Sequence, residues 1–492
     1  MKNNDDALAR SAMGGAGKMG VGVVARIVLQ LLSIVVLARL LTPDAYGLVA
    51  IVMAITAIAT VLRDFGLTFA SVQAKEMPPE LRSNLFWINT AAGTITAILA
   101  FAAGWPIAWL FDDERLLTLT WAIAPVYLFN ALGAQYQADL TRKMKLGRTV
   151  IADVGGTSAG LIAAVVAALS GLDYWSLAIN QIGVAIVTFT LLVAYGKWRP
   201  SSYNRHVSIR RQMTLGLDIF VSQIINYAAR NADTIILGLQ LSPAAVGFYD
   251  RAYRVYNTAV TQLNQPSTRV ALPVLSRLQD NPPEFRRYAS RGQISLMHPL
   301  MALMSIGVGY GGLLFPFILG PQWSPAALPF QIMCVAGLSQ ASNYAIYWCY
   351  LATGTVRHNV KLMLIWRPIT IGFLFIGSVW GVVGVAAAFA VGQIGGWLLQ
   401  LWWSRRVSII PRLTLFAAAS RGWLLHFPGA ASAAYALYVF EPLPGIAVAA
   451  GTHLAWVTLV ILASRKVRAD VVVSARTSYG MIVRLLTRRR SD

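Results

Sequence analysis

The sequence predicts an all-α, polytopic membrane protein of about 14 transmembrane helices, arranged as two six-helix parallel repeats plus two extra helices. Three observations lead there. Hydrophobic residues make up 57% of the chain and charged residues 12%, with a mean hydropathy of +0.58, whereas soluble proteins carry about 25% charged residues. Apolar runs near the length that crosses the hydrocarbon core, about 20 residues, recur from one end to the other. One turn sequence also occurs twice, at an offset of 200 residues.

The runs lie at 18–41, 47–72, 84–111, 116–138, 149–171, 174–196, 215–240, 246–275, 290–319, 326–352, 359–379, 382–403, 422–440 and 446–464. The run from Val246 to Leu275 and the break between Gly377 and Gly384 are the least sharply bounded. Trp105, Trp109, Trp402 and Trp403 near run ends read as interfacial belts. Gly155-Gly156 and the glycines from Gly307 to Gly312 read as close helix packing, with a hinge as the second reading.

Charge sets the orientation. Basic residues collect in alternate connections: Arg82; Arg142, Lys143 and Arg148; Arg205, Arg210 and Arg211; Arg286, Arg287 and Arg291; Arg405 and Arg406; and the segment from Arg465 onward. The opposite connections are a few residues long, and Arg115 is their one basic residue. The positive-inside rule then places both termini in the cytoplasm. The start, MKNNDDALAR, lacks the charged-then-apolar pattern of a cleaved signal peptide, so the first run is expected to stay.

The duplication carries the domain plan. Leu41-Thr42-Pro43-Asp44-Ala45-Tyr46-Gly47 parallels Leu241-Ser242-Pro243-Ala244-Ala245-Val246-Gly247. After the next run, Met77-Pro78-Pro79-Glu80-Leu81-Arg82-Ser83 parallels Asn281-Pro282-Pro283-Glu284-Phe285-Arg286-Arg287 at an offset of 204. Six helices per repeat is an even number, so the halves share one orientation. The plan is a cytoplasmic segment 1–17, an N-lobe 18–200, a cytoplasmic linker 201–214, a C-lobe 215–403, helices 13 and 14 in 404–464, and a basic tail 465–492 placed to lie against anionic lipid.

Polar residues interrupt the equivalent runs on one face. Gln223, Asn226, Arg230 and Asp233 follow spacings of 3, 4 and 3, and at the repeat offset the stripe lands on Arg26, Gln30 and Ser33. Two spans with one polar face each, in matching places of a duplicated chain, predict a polar cavity between the halves. Arg230 stands 13 residues before Pro243, about 20 Å into the membrane at 1.5 Å per residue. It cannot snorkel that far, so it faces protein, water or an anion, and a local ion pair with Asp233 is the competing reading. Arg26 stands eight residues past Lys18, with no acid three or four residues away.

Other charges have bland readings beside functional ones. Arg63 with Asp64 reads as a local pair or snorkelling group, and Asp250 with Arg251 and Arg254 as a structural network; cavity contact is the alternative for both. Arg269 reads as an interfacial anchor or a cavity-lining group, and Arg39 as an anchor. Asp233 and Asp64 are the acids placed to couple transport to an ion.

The net charge of +21 follows from the loops, so no nucleic-acid partner is expected. Cys334 and Cys349 in one apolar run give neither a disulfide framework nor a metal cluster, and His298, His426 and His453 are scattered singly. No cofactor or metal is expected.

The segments ARLLTPDAYGLVA (38–50), LRDFGL (62–67), RNADTIILG (230–238), SPAAVGFYDRAYRV (242–255) and ALPVLSRLQD (271–280) resemble polysaccharide flippases of the Wzx type, within the multidrug/oligosaccharidyl-lipid/polysaccharide exporter superfamily. The resemblance implies two six-helix bundles in a V around a cavity. It also implies movement of an undecaprenyl-diphosphate-linked oligosaccharide across the bacterial inner membrane, with membrane lipids, a polymerase and other export-pathway proteins as partners. On that reading the substrate-binding set is Arg26, Gln30, Asn226, Arg230, Arg63, Arg254 and Arg269, the arginines meeting the diphosphate with their planar forks. A membrane polymerase or ligase is disfavoured by the short extracytoplasmic connections. A drug exporter for organic cations is disfavoured by the excess of arginine over acid at mid-membrane.

Overall fold

A computed structural model gives the fold and describes residues 25–56, 77–207, 209 and 232–487. Among them the chain is helical throughout, with no strand. Eight of the described helices are long and apolar enough to cross a membrane, and the protein is a multi-pass membrane protein. The chain divides into two compact units, Met1–Gly247 and Phe248–Asp492.

The first unit holds α1 (25–40), α2 (Pro43–Thr56), α3 (Pro79–Phe111), α4 (Arg115–Arg142), α5 (Leu146–Leu169), α6 (Asp173–Gly196), α7 (232–240) and the first turn of α8 (Pro243–Arg277). α3 packs along α4, α5 along α6, and α2 against α4 and α6. The α5–α6 seam is tight: a Cβ on Gly156 would overlap the Thr188 hydroxyl, and one on Gly160 the Asn180 carbonyl and Val184. Small residues let two spans approach where lipid supplies no hydrophobic drive between helices.

The second unit continues with the rest of α8, then α9 (Pro282–Leu319), α10 (Ser324–Ala352), α11 (Val356–Ser378), α12 (Gly381–Trp403), α13 (Arg412–Val439), α14 (Pro442–Ala463) and α15 (Arg465–Thr487). α9 is its hub, packing on α10, α13 and α15. At 38 residues α9 is about 57 Å long, well beyond the hydrocarbon thickness of about 30 Å. Its first ten residues carry Glu284, Arg286, Arg287 and Arg291, and the apolar stretch follows.

Local chemistry sets the helix limits. Proline, whose missing N–H costs nothing in a first turn, stands at or next to the start of α2, α3, α8, α9, α10 and α14. Asn281 also accepts the Glu284 amide at 3.4 Å to cap α9. The weak break near Gly377 resolves into Ser378 closing α11 and Gly381 turning at φ 66° into α12. The doubtful run after Val246 is one continuous helix, Pro243–Arg277.

The duplicated turns have one hydrogen-bond pattern. Leu41 N donates to Leu37 O at 3.0 Å and Leu241 N to Leu237 O at 2.8 Å. Thr42 Oγ1 accepts from Ala45 N, and Ser242 Oγ from Ala245 N. Tyr46 N and Val246 N each reach back four residues to the carbonyls of Thr42 and Ser242. Repetition of sequence is therefore repetition of structure at this point.

Candidate functional site

On α1, Arg26, Gln30 and Ser33 fall four and three residues apart, one helical face. Arg26 and Gln30 are exposed and Ser33 is half-buried. The Arg26 guanidinium is met by an acid that no local spacing could reveal. Asp153, seven residues into α5, sits with Oδ2 3.7 Å from Arg26 Nη1, the two side chains being 63% and 28% exposed. The contact is long and open, so it holds the cation without consuming its donors.

Of the other candidate positions, Arg63, Asp64, Asn226 and Arg230 lie outside the described residues, as does the side chain of Arg269. Asp233 is buried near the start of α7, with Oδ1 accepting the Thr234 amide at 2.8 Å. On α8, the half-buried Asp250 accepts Arg254 Nε at 2.7 and 2.9 Å and Arg251 Nη2 at 3.3 Å. Arg254 leaves half of its side chain exposed while Arg251 is buried. This acid–arginine cluster presents one guanidinium outward.

The duplicated turns meet each other within the first unit. A Cβ on Gly47 would overlap the Pro243 carbonyl, and one on Gly247 the Pro43 carbonyl. The same two repeat positions are used reciprocally, and only glycine allows backbone to seat on backbone here. Around this end, Arg115 Nη1 binds Asp44 Oδ2 at 2.7 Å while its Nη2 binds Asp113 Oδ2 at 2.7 Å, and Thr42 donates to Asp173 at 3.2 Å. Burial alone would raise the Asp113 pKa, but the hydrogen bonds and charge of Arg115 outweigh it and hold it below the usual carboxylate range.

The other end of the first unit is strapped by the segment after α6. Asn84 donates to Asn204 O at 2.7 Å and accepts Asn204 N at 2.8 Å, while Trp87 Nε1 binds Ser201 O. Leu81 and Leu85 pack under Val207 and Ile209. Asp139 is buried and takes Arg82 at 3.2 Å and Lys143 at 2.7 Å, and Arg82 also lies 4.2 Å over the Trp198 ring. Arg286, which matches Arg82 at the repeat offset, instead binds the carbonyls of Ser408 and Ile409 after α12.

Sequence reasoning reads Asp153, like Asp218, as a solvated acid near a cytoplasmic helix end, and misses its pairing with Arg26, the Asn84 strap and the histidine pair. His298 Nδ1 and His426 Nε2 lie 3.3 Å apart between α9 and α13, although the two residues are far apart in the chain. An acid in an apolar run without a local partner was the one available signal for Asp153. Among the described residues no cluster of three His, Cys, Asp or Glu could hold a metal.

A model of a family described as "Polysaccharide biosynthesis protein" matches residues 36–328. The lipopolysaccharide biosynthesis protein WzxC of Escherichia coli K12 is 26% identical over 402 residues, 79% of each chain. The teichuronic acid biosynthesis protein TuaB of Bacillus subtilis is 22% identical over 340 residues, 67% of this chain and 69% of its own. Among solved structures, the lipid II flippase MurJ in an inward closed conformation superposes with a TM-score of 0.68 at 13% identity, covering 90% of this chain and 98% of that one. An inward-facing multidrug resistance MATE family transporter of the MOP superfamily gives 0.58 at 12% identity, over 80% and 98%. At these identities the structural likeness establishes the fold.

Proposed function

Since the chain belongs to the polysaccharide biosynthesis protein family matched over residues 36–328, we propose that it is a flippase. It carries an undecaprenyl-diphosphate-linked oligosaccharide from the cytoplasmic to the periplasmic face of the bacterial inner membrane. Both termini are cytoplasmic on this reading, because the basic connections gather on one side.

The observation that carries the proposal is Arg26. An exposed guanidinium on an apolar helix, met among the described residues by a 3.7 Å contact to Asp153, is a cation kept ready for an anion. Arg26 stands eight residues past Lys18, about 12 Å in from the cytoplasmic end of its run. An arginine within the hydrocarbon costs up to about 2.5–3.5 kcal/mol at its centre, which a resident or visiting anion offsets. A diphosphate fits, because its oxygens take the planar fork bidentately. Arg230, at the equivalent face of the second repeat, receives the diphosphate next, and Gln30 and Asn226 contact sugar or phosphate. Arg63, Arg254 and Arg269 extend the cationic path, and Asp233 or Asp64 couples an ion. The lobes 18–200 and 215–403 rock to expose the path to each side in turn. The names of the relatives, biosynthesis proteins for lipopolysaccharide and teichuronic acid, support a saccharide cargo.

Depleting the protein from its own cell tests this. Lipid-linked oligosaccharide is expected to accumulate with its sugar facing the cytoplasm. No accumulation, with normal export of the polymer, removes the flippase reading.

A further inference from the structure

The helix α15 follows α14 after a single residue, Ser464, and Arg468 caps the preceding helix by donating to Leu462 O at 3.0 Å. It then crosses two other helices. Val467 packs with Leu425 and Val460, Asp470 Oδ2 takes Arg421 Nε at 2.6 Å, and Ser474 and Thr477 reach Ser295. Both docking points mark the same level. Arg421 is the last charged residue of α13 before the apolar stretch Gly422–Val439, and Ser295 is where α9 passes from its basic turns to its apolar stretch. Both contacts thus fall where a charged or polar stretch of sequence gives way to an apolar one.

Its two faces differ in kind. The inner face, Val467, Asp470 and Ser474, is buried, and the one acid of the helix is consumed by Arg421. The outward face presents Arg465, Arg468 and Arg476, with Lys466 at its flank. Val472 and Tyr479 are interleaved at 42% and 70% exposure. Cations whose one neighbouring acid, Asp470, is taken by Arg421, mixed with an aliphatic and an aromatic side chain, match a headgroup layer bearing negative charge.

We propose that the outward face of α15 binds anionic phospholipid headgroups, so that the second unit is seated on the lipid surface through this helix. The docked Asp470–Arg421 pair passes that attachment to α13, and the Ser295 contacts pass it to α9.

The test uses full-length protein carrying Val472→Cys with an environment-sensitive fluorophore; Cys334 and Cys349 are buried and do not compete for the label. The labelled protein is reconstituted in phosphatidylcholine vesicles with increasing phosphatidylglycerol. The emission is expected to shift to the blue and to resist an aqueous quencher as phosphatidylglycerol rises. Removing cations in the variant Arg465→Gln, Lys466→Gln, Arg476→Gln weakens the preference about fivefold per charge. The variant Arg465→Lys, Arg476→Lys keeps the response, because a charged surface reads charge and not the guanidinium fork. Emission independent of phosphatidylglycerol, as expected if a protein partner covers this face, overturns the proposal. So does a shift that survives loss of the three cations. None of these readings depends on which lipid-linked cargo is moved.

Discussion

Arg26 Nη1 and Asp153 Oδ2 stand 3.7 Å apart, joining α1 to α5 inside the first unit. An open pair of this length contributes about 0–1 kcal/mol. A charge-assisted contact to a phosphate contributes about 1.5–3 kcal/mol. The ligand therefore wins the guanidinium, and the acid serves to keep it aimed between ligands.

Asp153→Asn accordingly leaves the protein folded and tightens binding of an undecaprenyl diphosphate lipid by about two- to fivefold. Titration of purified protein in nanodiscs measures it. Weaker binding would instead make Asp153 necessary for positioning Arg26.

Gly47→Ala forces a methyl group into the Pro243 carbonyl, a backbone atom that cannot step aside. Overpacking of this kind costs about 1–3 kcal/mol, and the thermal midpoint in detergent is expected to fall by several degrees. Gly247→Ala does the same through Pro43. Gly147→Ala, where nothing lies within 4 Å and the residue is helical, is the control. It is expected to leave the midpoint unchanged or raise it, since alanine is the better helix former by about 1 kcal/mol.

The Asp113–Arg115 contact gives a pH signature. The folded carboxyl titrates below its unfolded range, so its contribution is fully present above the unfolded pKa and is lost as pH falls through the folded one. Asp113→Asn should therefore lie below wild type in thermal midpoint at neutral pH. The gap should close under acid conditions beneath the usual carboxylate range. The pair is partly exposed, so the gap corresponds to about 0.2–1 kcal/mol.

Asn84→Ala removes both hydrogen bonds that hold the backbone of Asn204. Faster hydrogen exchange and protease cutting are expected at residues 201–207, with little change in α5 and α6. Unchanged protection there would assign the strap to Leu81, Leu85 and Val207 instead.

Much of the fold was legible because hydropathy, proline and loop charge act locally. The helices open at Pro43, Pro79, Pro243 and Pro282, ahead of the apolar runs read from 47, 84, 246 and 290, because hydropathy does not register a polar first turn. The duplicated turn announced itself through identity at Pro43 and Pro243, although nothing local revealed that Gly47 and Gly247 seat on each other's turns. Polar partners were the illegible part. Asp153 and Arg26, Asn84 and Asn204, His298 and His426 are brought together by helix packing over more than a hundred residues of chain, and no periodicity carries that information. Arg115 is an instructive middle case. Its isolation among short loops was visible, and its reason, bracketing by Asp44 and Asp113, needed the structure.

The central claim is that Arg26 holds the diphosphate, and equilibrium binding of an undecaprenyl diphosphate lipid to Arg26→Gln measures it most directly. Loss of one charge-assisted contact predicts a Kd about ten- to a hundredfold higher than wild type, with Arg26→Lys between the two because it keeps charge and loses the fork. A Kd for Arg26→Gln equal to wild type, in protein with an unchanged thermal midpoint, would contradict the account and return Arg26 to a packing role beside Asp153.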